Sequence, residues 1–149
     1  MPIECRTPRA EIERMLENHV ERLTEALVYN LCAIGEQVLI AARSTNSYKD
    51  QTGNLRSSVG YIVAIDGEVV RMSDFEPSER GTDKTTGQNT GKTYAQKLID
   101  KYPKGIVLLV VAGMKYASYV SAKGLDVLDS SELLAERLIP QMLKQLGLK

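Results

Sequence analysis

Residues 48–63 read YKDQTGNLRSSVGYIV and set the architecture of the chain. Asp50, Thr52 and Gly53 are turn and cap formers. Beyond them side chains alternate, Leu55, Ser57, Val59, Tyr61, Val63 and Ile65 on one side and Arg56, Ser58, Gly60, Ile62 and Ala64 on the other. That is the period of a half-buried strand entered from a capped turn. Asp66-Gly67 follows, with Val69 and Val70 beyond it. A two-residue hairpin needs positive φ at both central positions, and Asp-Gly supplies it, so the first unit of the sheet is expected to be a hairpin.

Upstream, Thr7-Pro8 combines a hydroxyl cap with proline at the first helical position. Ile12, Leu16, Val20, Leu23, Leu27, Leu31, Ile34, Val38 and Ala41 then recur every three or four residues. The expectation is one amphipathic helix over 7–43, or two collinear helices broken near Gly35. At about 1.5 Å per residue it reaches roughly 50 Å, longer than a compact domain of this size is wide. Either part of it projects and meets a neighbour, or it crosses the sheet with a frayed first turn. Glu17, Glu21 and Glu25 form a solvated face or an acidic docking stripe, and His19 sits at the edge of the apolar seam.

Downstream, 73–91 is polar and rich in Gly, Thr and charge, which reads as a mobile loop. A helix is expected over 90–102, stopped by Pro103. The run GIVLLVVA at 105–112 is apolar throughout and is expected as the central strand, buried on both faces. A short apolar piece follows at 125–128. Asp129 and Glu132 resemble a capping box opening a last helix over 129–147, which Pro140 should kink. The fold class is therefore α+β: a long N-terminal and a C-terminal helix on a mostly antiparallel sheet of about four strands, in a single domain over 1–149.

Composition narrows the function classes. Nineteen basic and nineteen acidic residues give no net charge, so no basic field supports nucleic-acid binding. Cys5 and Cys32, held apart by the helix, are expected to be free thiols. No apolar run of about 18 residues suggests a membrane span, and no leader is apparent. Gly91-Lys92-Thr93 invites a phosphate-loop reading, but the first glycine of that pattern would fall at Thr86, with Gly87 one place out of register. Converging carboxylates, a serine elbow and a Cys–His pair are all missing, so neither enzyme activity nor a cofactor or metal is expected.

The run Thr52-Gly53-Asn54-Leu55-Arg56-Ser57-Ser58-Val59, with Tyr116-Ala117-Ser118-Tyr119-Val120 some sixty residues later and a C-terminal helix after it, resembles the head–tail joining or tail-completion proteins of tailed bacteriophages. The resemblance covers most of the chain. It implies a non-catalytic virion component, built in the host cytoplasm and oligomeric in the particle, whose partners are the head connector and the tail tube or terminator. Contact residues are expected at Tyr48, Asp50, Thr52, Gly53, Leu55, Arg56, Tyr116 and Tyr119, with Arg56 bracing the Asp50 turn or meeting a neighbour's carboxylate. After Tyr119-Val120 the family pattern has an acidic residue and a Gly-Thr pair, whereas this chain has Ser121-Ala122-Lys123-Gly124-Leu125. The alternative is a small nucleotide- or nucleic-acid-binding protein using Lys84, Lys92, Lys97, Lys101 and Lys104.

Overall fold

A computed structural model describes residues 3, 4, 6–44, 53–73, 75, 85–114, 117, 122, 124 and 127–148. Helix α1 runs unbroken through Gly35 as Arg9–Ser44. A helical turn α2 (Asn54–Ser57) leads into strand β1 (Val59–Ile65), which is followed by β2 (Glu68–Met72), α3 (Thr86–Ile99), β3 (Ile106–Ala112) and α4 (Asp129–Gln145). The architecture is α+β, with three antiparallel strands in the order β2-β1-β3 rather than four among the described residues.

The hairpin forms as expected. Asp66 at φ 50° and Gly67 at φ 83° occupy the two positive-φ positions between β1 and β2. Asp66 also ties the turn to the start of β3, since its Oδ1 accepts from the Gly105 N–H at 2.9 Å and its own N–H donates to the Gly105 carbonyl at 3.0 Å.

Two strand expectations change. β1, not β3, is the central strand, paired with β2 on one side and along its whole length, Val59↔Ala112 to Ile65↔Ile106, with β3 on the other. β1 is buried on both faces and is not a half-exposed strand, because helices cover the sheet on both sides. β3, expected at the centre, lies at an edge and is only partly buried along most of its length.

The strand alternation sends side chains into two cores. Val59, Tyr61 and Val63 meet Leu31, Ile34, Val38 and Leu39 of α1 and Met142 of α4 on one face. Ile62, Ala64 and Val111 meet Ala95 and Ile99 of α3, together with Phe75, on the other. Phe75, the single phenylalanine, lies in a stretch that reads as polar loop, yet it is fully buried. Helix α4 continues through Pro140 and is pinned to α1 where Ser131 Oγ donates to the Val38 carbonyl at 3.2 Å.

By length and composition α1 is apolar enough to cross a membrane, one 18-residue window reaching a mean hydropathy of 1.3. The apolar face of its C-terminal half is the one committed to the sheet and α4.

Candidate functional site

The TGNLRSS run builds a junction inside the domain. Gly53 takes φ 78°, and Asn54–Ser57 turn as a helix where a strand is expected from the alternation. The serines account for the difference. Ser57 Oγ donates to the Gly53 carbonyl and Ser58 Oγ to the Leu55 carbonyl, both at 2.7 Å, offering the backbone local partners in place of a sheet ladder. The strand begins only at Val59.

From this turn the chain is connected to α3 and β3. Asn54 Oδ1 accepts the Gly87 N–H at 2.8 Å, so a residue thirty-three positions away caps the first turn of α3. The Ser58 carbonyl accepts from the Gly113 N–H at 3.2 Å, and Ser58 Oγ from the Met114 N–H at 3.3 Å. α3 can come this close because Gly87 and Gly91 face the turn: a Cβ on Gly87 would collide with the Asn54 backbone, and one on Gly91 would lie 2.5 Å from the Ser58 oxygen. The helix therefore starts at Thr86, four residues earlier than expected. Gly91-Lys92-Thr93 lies within the helix, where its N–H groups enter the i→i−4 ladder rather than wrapping an anion.

Gly53, Leu55 and Arg56, expected at a contact surface, are buried within the chain. Leu55 belongs to a small core with Ala117 and Val127. Tyr48, Asp50, Thr52, Tyr116 and Tyr119 lie outside the described residues, as do Cys5, Lys84 and most of the 73–91 loop.

Two surfaces that the sequence reading left undecided stand out. The first is the N-terminal part of α1. Residues 9–22 are exposed throughout, roughly 20 Å of helix standing clear of the domain. Leu16 and Val20 are 61% and 60% exposed, and Met15 and Ile12 are exposed beside them. These residues continue the same stripe that, from Leu27 to Ala42, is covered by the protein's own sheet and α4. One edge of the exposed stripe carries Glu13, Glu17 and Glu21, each one residue after an apolar position.

The second is the outer side of α3. Lys92, Lys97, Lys101 and Lys104 are all exposed, with Tyr94 and Tyr102 between them. Between α3 and the end of β3 runs an open groove of about 600 Å³ lined by Tyr94, Lys97, Ala112, Met114 and Ala117, among others. Its lining is mainly apolar, and Lys97 brings an ammonium group to it.

A third feature is internal. Tyr61 is buried at its ring and donates from its hydroxyl to Glu36 Oε1 at 2.7 Å, bracing α1 on β1. Burial, reinforced by the Glu36 hydrogen bond and charge, raises the Tyr61 pKa well above the ordinary tyrosine range. The unfolded chain then loses this proton first as pH rises, so the stabilisation is complete below the ordinary value of about 10 and drains away above it. Urea unfolding of Tyr61→Phe between pH 8 and 11 is expected to show a flatter alkaline decline than the wild type, with about 1 kcal/mol less stability at pH 8. Burial likewise raises the Cys32 thiol, with Arg71 opposing and Glu36 reinforcing, which keeps it protonated and a poor nucleophile at neutral pH. Among the described residues no three His, Cys, Asp or Glu side chains come together as a metal site.

No protein-family model, no curated protein and no solved structure matches this chain.

Proposed function

We propose that this chain is a non-catalytic structural component of a tailed-phage or prophage particle, acting at the head–tail junction by binding the head connector and the tail tube or terminator. The resemblance of the TGNLRSSV and YASYV runs, in their order between a long first helix and a last one, motivates the reading. The observation that carries it is the exposed part of α1, a preformed helix with an apolar stripe that the domain itself does not use. Such a stripe suits protein–protein assembly, because a folded helix has already met its nucleation cost and binds with little further ordering.

The lysines around α3 support a second reading, in which the chain holds a nucleotide or a nucleic acid. Native mass spectrometry separates the two. With excess magnesium ATP and with a short DNA duplex, the chain is expected to give no stoichiometric adduct. When mixed with the head-connector and tail-tube proteins encoded in the same genome, it is expected to co-elute with at least one of them. A stoichiometric ATP or DNA adduct, or co-elution with neither protein, overturns the proposal.

A further inference from the structure

We infer that the exposed half of α1 docks into the α3–β3 groove of a second copy of this chain, a head-to-tail contact that repeats. It holds whether or not the particle reading does. The two surfaces are complementary in kind. The helix offers Ile12, Leu16 and Val20 beside the acidic edge of Glu13, Glu17 and Glu21. The groove is lined by Ala112, Met114, Ala117 and Tyr94 together with Lys97, with Lys92 on the same helix and Lys101 just beyond its end.

Charge selects the pairing. Residues 9–25 carry five glutamates against three arginines, and with the Arg9–Glu13 pair at 3.0 Å set aside, four glutamates, Glu17 and Glu21 among them, stand against two arginines. Residues 86–104 carry four lysines against Asp100 alone. Pairing α1 with α1 of another copy brings two segments of net negative charge together, and an antiparallel pair also sets glutamate edge against glutamate edge. Pairing α1 with α3 sets unlike charges together.

Topology makes the contact intermolecular. α1 covers the sheet face formed by Val59, Tyr61 and Val63, whereas α3 covers the opposite face formed by Ile62 and Ala64. An unbroken 36-residue helix anchored on one face does not fold round to the groove on the other. Among the described residues each copy therefore leaves its helix and its groove uncovered, and a heterologous contact of this kind closes into a ring or propagates as a filament.

Sedimentation velocity over a dilution series tests this, with Leu16→Glu and Lys97→Glu as the variants. Both positions are exposed, so circular dichroism and the urea midpoint should stay at wild-type values. The wild type is expected to form concentration-dependent oligomers that dissociate in high salt. Each variant alone is expected to be monomeric. Leu16→Glu retains an intact groove and Lys97→Glu an intact helix, so their mixture is expected to give a one-to-one dimer that grows no further. Three results overturn the inference: a wild type that stays monomeric at the highest concentration, a Lys97→Glu variant that assembles normally, or a mixture that forms no dimer. A monomer that still binds a head connector refutes the self-contact and leaves the particle reading standing, so the two fail separately.

Discussion

Phe75→Ala is expected to remove about 3–5 kcal/mol of stability, the full cost of deleting a buried aromatic ring. For a domain whose total is about 5–15 kcal/mol, that is about a fifth or more of what holds it folded. The value should fall toward the upper end because of what surrounds the ring. On one side it lies over Gly60 of β1, on the other against Gly91 of α3, and a Cβ at either glycine would run into the ring atoms. Glycine has no side chain that could swing into the vacated space, so the cavity stays open instead of collapsing. In urea, the midpoint should drop with little change in slope, and the melting temperature should fall by roughly 10 °C. Phe75→Leu should retain a larger part of the stability. A loss below about 1 kcal/mol for Phe75→Ala would mean that the ring is not the keystone of this face of the sheet.

The features legible in the sequence are those whose causes are local. α1 is written in its three-to-four spacing and the hairpin in Asp66-Gly67, whereas the last helix starts at Asp129 with Leu128 at its cap and no side-chain cap hydrogen bond, so the Asp129–Glu132 capping box does not form. What misleads is whatever depends on a distant partner. α3 begins at Thr86 because Asn54 caps it from across the domain, and its glycines, read locally as loop formers, are close-contact residues. The strand alternation starting at Leu55 is genuine as a pattern, but two serine hydroxyls turn its first four residues into a helical turn. β1 looks half-buried because Gly60 and Ala64 seem neutral on its second face, yet Gly60 is the place where Phe75 sits. A lone phenylalanine within an otherwise polar stretch was the available clue to that packing.

The contact surface shows the same division. Gly53, Leu55 and Arg56 stand out in the sequence because they belong to a compact motif, and the structure assigns them to the junction between β1, α3 and β3. The exposed helix was half legible: its excess length over any compact domain is a sequence property. That the uncovered part is residues 9–22, and that the lysine-bearing face lies across the sheet from it, are matters of topology.

The second large effect is expected at Gly91. Glycine to alanine inside a helix ordinarily stabilises by about 1 kcal/mol, since alanine restricts the unfolded chain and favours the helix. At Gly91 the sign should reverse. The added methyl would lie 2.5 Å from the Ser58 carbonyl oxygen and 2.7 Å from Phe75 Cδ1. The Ser58 oxygen is not free to retreat, because it accepts the Gly113 N–H and its residue is buried at the head of β1. Overpacking of this kind costs about 1–3 kcal/mol before the propensity gain of about 1 kcal/mol is set against it, so the expected net change is a loss of up to about 2 kcal/mol. Gln96→Ala, on the exposed side of the same helix, should change stability by only a few tenths. Combining Gly91→Ala with Phe75→Leu should cost less than the two separately, because a smaller side chain at 75 gives the methyl room on one of its two sides. A Gly91→Ala protein that melts above the wild type would disprove the close approach of α3 to Ser58 and Phe75. The same substitution also links the core to the surface. If α3 yields by lifting from β1 and β3, Tyr94 and Lys97 move away from Met114, and the groove widens. Oligomers should then weaken in Gly91→Ala even at temperatures where it is fully folded, although neither the exposed helix nor any groove side chain has been altered.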